Sequence, residues 1–460
     1  MTRAAALGLV LALATPALAQ APPVVAPAAT PRAAAEALDQ LGYQLGQAGK
    51  TEEALAHFRE ATRLAPTLFA AQYHLGATLW WTRQPEEALP ALRAAVKLDP
   101  KHAEARYYLG LVLKQQGDLA GAVAQLREAA RLSPRLAVAH LQLGVALLAW
   151  GDEESAVASL RRAVELDPSS TDAANNLGLA LMQRGEAEEA VRTFRALTER
   201  APDFANARHN LGSALLQKGD LEGAIAVYRE LVRREPENAE AHYNLGLALK
   251  QRDDFSESEA ELRQAVALAK VLPDPPYTLA VLLWQTGRGP DALPFLREAI
   301  ARKPDYGEAH YLLGTILRQQ GQGEEALAAL REAIRYQPSA AEAWLGLGQL
   351  LQQRKDTEGA ARAFAEAERL NKRKADGQAS RVALAAGLKK LAEKDAATAL
   401  AQLREAVRLD PENARAHYEL ARLLKARGQA AEAGRHFAEA GRLAPYLATP
   451  TAGMPAVSKR

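Results

Sequence analysis

The histidines are the residues best suited to bind a metal or to transfer a proton, and their spacing argues against both roles. His140, His242, His310 and His417 share one position of a repeated unit, and the closest two are 68 residues apart. Side chains so far apart do not meet at one ion, which needs three or four ligands. The sequence also contains no Cys, which excludes disulfides and thiolate sites. We therefore predict no metal and no cofactor, and interpret these histidines as partly packed surface residues.

Paired carboxylates are the other candidates for catalysis, because general acid–base chemistry often uses two of them. The pairs Glu52-Glu53, Glu153-Glu154 and Glu188-Glu189 recur at one place, in the first turn of predicted helices. Negative charge there is favoured by the helix dipole, which explains the pairs without catalysis. The glycines also recur at fixed places and form no phosphate-binding loop after a strand. We expect a protein that is not an enzyme.

Charge argues against nucleic acid as a partner. Lys and Arg number 57 against 55 Asp and Glu, a net charge of +2, whereas nucleic-acid binding normally requires a concentrated basic face. The run Lys372-Arg373-Lys374 is short and is interpreted as a solvated loop.

The first 34 residues are predicted to lie outside the fold. Arg3 precedes the small and apolar run Ala4 to Ala14, and Ala17-Leu18-Ala19 follows Pro16, which is typical of a cleavable secretory signal over residues 1–19. The run is about half the ~20 residues of a membrane span, so we predict no stable span. Residues 20–34 form a Pro/Ala-rich linker. Export to a bacterial periplasm or the extracellular space is expected, and a cytoplasmic scaffold with an uncleaved start is the alternative.

From Ala35 to Leu447 the chain repeats a 34-residue pattern twelve times, with a five-residue insertion after the tenth copy. Numbered within a copy, the pattern has Leu at 7, Gly at 8, Leu at 11, Gly near 15, Ala at 20, Phe or Leu at 24, Ala at 27 and Pro at 32. In the first copy these are Leu41, Gly42, Leu45, Gly49, Ala54, Phe58, Ala61 and Pro66. The apolar positions step by three or four residues, so each copy is predicted to be two antiparallel helices. One copy cannot bury both apolar stripes, and stability must come from stacking.

This pattern resembles the tetratricopeptide repeat family, most closely in the copies that begin at Ala239 and Gly307. The resemblance implies an all-α fold, an α-solenoid of about twelve helix–turn–helix repeats wound into a right-handed superhelix, with first helices lining a concave groove. We expect repeats 1–10 over residues 35–371, an insertion or hinge over 372–379, repeats 11–12 over 380–447, and a disordered tail over 448–460.

Two departures from the pattern predict local changes. Pro273, Pro275 and Pro276 crowd the start of the eighth copy, after a seventh copy that ends in Lys270 instead of Pro. Helix boundaries should shift there. The tenth copy also lacks its closing Pro, so the segment from Asn371 to Gln378 is expected to hinge or kink.

The resemblance implies that positions 2, 5, 9, 12 and 13 of each first helix face the groove. Position 5 is often Tyr, as in Tyr243, and position 13 is often Gln, as in Gln251. Together these side chains could hold an extended backbone without demanding one sequence. The alternative is that Tyr at position 5 only packs.

Two further groups of residues at groove positions occur in the middle repeats. An apolar inner wall is predicted from side chains of the fourth to sixth copies: Leu141, Val145, Leu148, Ala149, Leu179, Met182 and Leu216. Such a patch marks a partner site if exposed, or it packs between adjacent first helices. Position 6 is Asn in three successive copies, Asn176, Asn210 and Asn244, which resembles the asparagine ladder of O-linked N-acetylglucosamine transferases. The family's two-carboxylate clamp is not predicted, since Asn175 is followed at position 9 by Leu179.

These observations favour a non-enzymatic scaffold that binds peptide segments or partner proteins on its concave groove in the cell envelope. The alternative is a regulatory or substrate-presenting subunit of an enzyme complex, such as a glycosyltransferase or glycan-assembly machine. Partner identity and self-association are left open by the sequence.

Overall fold

A computed structural model describes residues 30–447, except for the side chain of Ala205, and within this range every element is helical. The chain divides into two units between Asn210 and Leu211. The first unit contains α1 (Pro31–Gln47), α2 (Thr51–Leu64), α3 (Phe69–Trp81), α4 (Pro85–Leu98), α5 (Ala103–Gln115), α6 (Leu119–Leu132), α7 (Ala137–Trp150), α8 (Glu153–Leu166), α9 (Thr171–Gln183) and α10 (Ala187–Arg200). The division falls within α11 (Ala205–Lys218). The predicted signal segment, most of the predicted linker and the predicted tail lie outside the described residues.

The second unit continues with the same alternation of first and second helices. It contains α12 (Leu221–Arg234), α13 (Ala239–Gln251), α14 (Phe255–Leu268), α15 (Asp274–Gln285), α16 (Gly289–Arg302), α17 (Gly307–Gln319), α18 (Gly323–Tyr336), α19 (Ala341–Gln353), α20 (Thr357–Ala392), α21 (Ala396–Leu409), α22 (Ala414–Ala426) and α23 (Ala430–Leu443), followed by a short 3-10 turn (Pro445–Leu447). None of these helices, nor any in the first unit as described, is long and apolar enough to cross a membrane.

In ten of the twelve copies, a large side chain at position 24 of the second helix packs against a glycine at position 8 of the first helix. The eighth and twelfth copies have Ala280 and Ala421 at position 8. Phe58, Phe194 and Tyr228 are fully buried in this way. A Cβ added to Gly42 would lie 2.7 Å from the Phe58 ring. Because this contact recurs copy after copy, the hairpins have nearly the same geometry, and the predicted α-solenoid is confirmed.

The turn between the two helices of each hairpin requires a residue with positive φ at position 15. Gly49 and Gly321 there have a φ of +77°, a conformation that glycine adopts without steric strain. Four copies place another residue at the same position with positive φ: Arg83, Asp253, Lys355 and Lys394. The turn geometry is therefore kept even where the glycine is lost.

The first helices form the more closely spaced layer. In the first unit α1 contacts α3, α3 contacts α5, and α5 contacts α7, whereas consecutive second helices make less contact. In the second unit α17 contacts α19 in the same way. We call the side chains at positions 5, 6, 9, 12 and 13 of the first helices the inner face.

Two predicted boundaries need correction at the linker and the insertion. Helix α1 begins at Pro31, inside the predicted linker, because the Thr30 side chain accepts a hydrogen bond from the Ala33 amide and Pro suits the first turn.

The predicted hinge over 372–379 is helical and joins two repeats within the 36-residue helix α20. No proline interrupts this segment, and its Lys, Arg, Ala and Gln residues favour helix. In the tenth copy, the missing Pro together with the helix-forming residues that follow lets the helix continue into the next copy.

The proline-rich junction shifts a helix boundary as predicted. Helix α15 begins at Asp274, one position later in its copy than α13 and α17 do. The preceding loop is fixed by Arg302, whose guanidinium donates to the carbonyl oxygens of Ala269 and Leu272 at 2.7 Å.

Candidate functional site

The predicted apolar wall in the first unit lies on α7 and α9. Leu141, Val145 and Leu148 are half-buried on α7, as are Leu179 and Met182 on α9. Leu148 packs against the cluster that contains Leu143 and Leu147. These side chains therefore contribute partly to packing and keep part of their apolar surface exposed. Leu216, on α11 in the second unit, is also half-buried.

The asparagines predicted as a ladder are hydrogen-bonded within the protein. Asn176 Nδ2 donates to the Asp172 carbonyl oxygen at 2.8 Å. Asn210 Nδ2 donates at 2.8 Å to Asn175 Oδ1, one repeat earlier. Each of these bonds uses one N–H of the donor amide. Because an Asn side-chain amide has two N–H groups and two acceptor lone pairs, Asn176 and Asn210 can each form further hydrogen bonds. Asn244 is half-buried on α13.

The bond between Asn175 and Asn210 joins position 5 of one copy to position 6 of the next. The same pair of positions holds Asp39 and His74, whose Oδ1 and Nδ1 atoms lie 2.8 Å apart. Periodicity alone did not identify this contact, because it depends on how neighbouring first helices are aligned. The inner face thus includes polar bonds that join repeats.

The tyrosines at position 5 differ in how deeply they are buried. Tyr73 is only 4% exposed, and burial raises the pKa values of Tyr73 and Tyr107. Burial also raises the pKa of the neighbouring Tyr108 to about 12, and its hydroxyl accepts a 3.4 Å hydrogen bond from Trp81. Tyr73 therefore belongs to the buried core of the first unit, and Tyr107 packs against that core.

In the second unit the position-5 tyrosines are half-buried, as Tyr107 is. Tyr243 is half-buried, and its hydroxyl is hydrogen-bonded to Thr278 at 3.2 Å. Tyr277 and Tyr311 are half-buried as well, while Gln251 is exposed at the end of α13. Two cations of this face, Lys250 and Arg318, are half-buried at position 12. The repeat pattern does not predict them, because position 12 varies from copy to copy.

The histidines at position 4 hydrogen-bond to the loop that ends the preceding repeat. The Nε2 atoms of His242 and His310 donate to the carbonyl oxygens of Pro236 and Pro304, each at 2.9 Å, closing the end of the preceding repeat. His140 makes the same bond, and burial lowers its pKa. Over residues 30–447 no three His, Asp or Glu side chains group as metal ligands do.

Comparison with known proteins agrees with this architecture. Models of the tetratricopeptide repeat match most of the chain, and the matched ranges are 35–68, 78–137, 141–203, 239–271, 277–328, 314–378 and 390–445, with a TPR repeat model over 212–253. No curated protein matches the chain.

Solved structures with similar folds include MamA and PilF. The match to a crystal structure of MamA has 24% sequence identity and a TM-score of 0.34, and it covers 36% of this chain and 96% of the MamA chain. MamA from Desulfovibrio magneticus RS-1 is 24% identical over 36% of this chain and 94% of its own, with a TM-score of 0.34. PilF of Pseudomonas aeruginosa is 22% identical over 45% of this chain and 95% of its own, with a TM-score of 0.39.

The repeat matches span both units and agree with the helical hairpins and the glycine contacts described above. This chain belongs to the tetratricopeptide repeat family, whose repeats form protein-interaction scaffolds.

Proposed function

We propose that the protein is a non-enzymatic scaffold that holds extended segments of partner proteins against the inner face. One observation carries this proposal: the inner face includes both half-buried apolar side chains and amides with further hydrogen-bonding capacity. In the first unit Leu148 and Met182 share the inner face with Asn176 and Asn210. Apolar contact supplies affinity, and amides can bind a peptide backbone regardless of its sequence.

Site-directed changes on this face test the proposal. The variant with Leu148→Glu and Met182→Glu places two charges on the apolar surface, and it should lose partners in a pull-down from extracts of the source cells. A matched control, Ala124→Glu with Ala158→Glu, adds the same charge on exposed positions of α6 and α8 and should retain them. Both variants are checked by circular dichroism, and Leu148→Gln with Met182→Gln serves as a milder version.

The identity of the captured partners separates the scaffold from its alternative. Recovery of one catalytic subunit in fixed proportion would favour a regulatory or substrate-presenting role in an enzyme complex. If the charged inner-face variant remains folded and recovers the same partners as the control variant, the apolar face does not bind them.

We also propose that the protein is exported. The proposal is supported by Arg3, the small and apolar run that follows it, and Ala17-Leu18-Ala19. N-terminal sequencing of the protein from its own cells should begin at Gln20. A mature protein that retains Met1 or Thr2 would instead support the cytoplasmic alternative.

A further inference from the structure

Two cations and a tryptophan occupy one register of the inner face in the second unit. Lys250, Trp284 and Arg318 stand at position 12 of α13, α15 and α17, so they follow one another across three successive repeats. Lys250 and Arg318 are half-buried, and Trp284 is 38% exposed. We call these three residues the basic register.

The cations of the basic register lack counter-ions. Over the described residues, no carboxylate pairs with Lys250 or Arg318, and Arg318 Nε is a buried atom without a hydrogen-bond partner. Lys114, which occupies the same position in the third copy, donates to Gln142 at 2.6 Å. Burial lowers the pKa of Lys250, as expected of an ammonium group that is partly removed from water.

Two cations on the second helices of this unit, by contrast, have carboxylate partners. Arg229 is paired with Glu257 at 2.7 Å, and Arg297 with Glu325 at 3.3 Å, each one repeat further along. Placing a charge partly out of water without a partner is unfavourable. The basic register thus carries two charges that an external acidic group would stabilise.

The side chains of the basic register favour a carboxylate as the ligand. A carboxylate can accept two parallel hydrogen bonds from a guanidinium and can also accept from an ammonium group. Trp284 lies between the cations and offers a flat apolar surface to a side chain. At the other end of the same helices, Glu240, Asp274 and Glu308 occupy position 2, about 15 Å away along a helix axis. An acidic ligand is therefore repelled from that end and attracted to the basic register.

The spacing of the helices sets the length of the ligand. Packed helices lie about 8–10 Å apart, so the register spans about 20 Å from α13 to α17. An extended chain rises about 3.3 Å per residue, which places about six residues between the two cations.

We propose that the basic register binds an extended acidic segment of a partner protein, with two carboxylates about six residues apart on Lys250 and Arg318 and an apolar side chain between them on Trp284. The proposal rests on the scaffold function above and names the chemistry of the partner. Gln251 and Gln319, both exposed next to the cations, are placed to bind the backbone of the segment.

The test uses the full chain and a fluorescein-labelled peptide of sequence GSESGLGSESG, measured by fluorescence anisotropy at low and moderate salt. Binding should weaken about tenfold or more with Lys250→Met and Arg318→Met together. It should weaken similarly with the uncharged peptide GSQSGLGSQSG, and with added salt, because the charges are partly exposed. Lys270→Met with Arg331→Met removes two exposed cations from the same unit and should leave binding unchanged.

Thermal unfolding shows whether the variants fold, and Lys250→Gln with Arg318→Gln repeats the test with polar replacements. The proposal is overturned if GSESGLGSESG does not bind the unaltered protein, or if both pairs of substitutions weaken binding equally. The pull-down that tests the scaffold does not depend on this peptide. Partners retained there, with no peptide binding here, would reject the acidic segment and leave the scaffold function intact.

Discussion

Gly178 on α9 lies directly against the ring of Phe194 on α10, so closely that a Cβ added to the glycine would stand 2.4 Å from Phe194 Cζ. The ring is fully buried and makes the centre of that hairpin. The contact fixes the distance between the two helices, because neither the glycine backbone nor the ring can yield without disturbing a neighbouring repeat.

Gly178→Ala should therefore destabilise the protein even though alanine favours helix. Overpacking of this kind reduces the free energy of unfolding by about 1–3 kcal/mol. The control is Gly434→Ala on α23, where an added Cβ meets nothing within 4 Å and the change should stabilise by about 0.5–1 kcal/mol. Urea unfolding followed by circular dichroism measures both. Equal stabilities of the two variants would contradict the close approach.

Lys355 is held with a φ of +65° at a turn position where most copies have glycine. Relieving the left-handed strain by Lys355→Gly should raise the stability of the tenth repeat by about 1 kcal/mol. The reverse change, Gly321→Ala at a φ of +77°, should lower the stability of the ninth by a similar amount. Thermal unfolding of both variants measures the two changes in stability. The changes must have opposite signs if the backbone conformation is responsible.

His310 closes the end of the repeat before it by donating to the Pro304 carbonyl oxygen. His310→Ala should reduce the free energy of unfolding by about 1 kcal/mol, the usual contribution of one such bond. His310→Gln should restore most of the loss, because Gln72 donates to the Pro66 carbonyl oxygen at 3.0 Å from the same position of its copy. If urea unfolding ranks His310→Gln no better than His310→Ala, this hydrogen bond does not stabilise the loop.

The hairpins could be predicted from sequence because their determinants recur within each copy. Gly178 and Phe194 are sixteen residues apart in one copy, and the same spacing separates Gly212 from Tyr228. The fusion of two repeats in α20 is not predicted by the pattern, because a missing closing proline is compatible with either a kink or a continued helix. Without a proline, a segment of good helix formers continues the helix.

The site was less predictable because its contacts join different copies. Asn210 was singled out as a binding residue, but its bond to Asn175 depends on the alignment of neighbouring helices, which periodicity does not give. Whether Arg318 has a counter-ion depends on where each nearby carboxylate lies, and only the three-dimensional structure shows those positions.

We expect the last repeat to be sensitive to acid because of His436. Its Nδ1 atom lies 2.9 Å from that of His417, whose Nε2 donates to the Pro411 carbonyl oxygen. His417 Nδ1 is therefore the acceptor of the pair while that imidazole is neutral. Burial and the neighbouring His417 lower the pKa of His436 below its usual 6.5, although Glu432 acts in the opposite direction.

A lowered histidine pKa means that the unfolded chain binds more protons, so stability should fall as the pH drops through about 6.5. Hydrogen exchange of the amides of α22 and α23 should be faster at about pH 5.5 than at about pH 7.5, after correction for intrinsic rates. His436→Gln replaces the donor with an amide that does not titrate, and it should flatten this dependence. Ala438→Gln, at an exposed position of the same helix, keeps the pair and should retain the full dependence. If both variants respond to acid alike, the sensitivity does not come from His436.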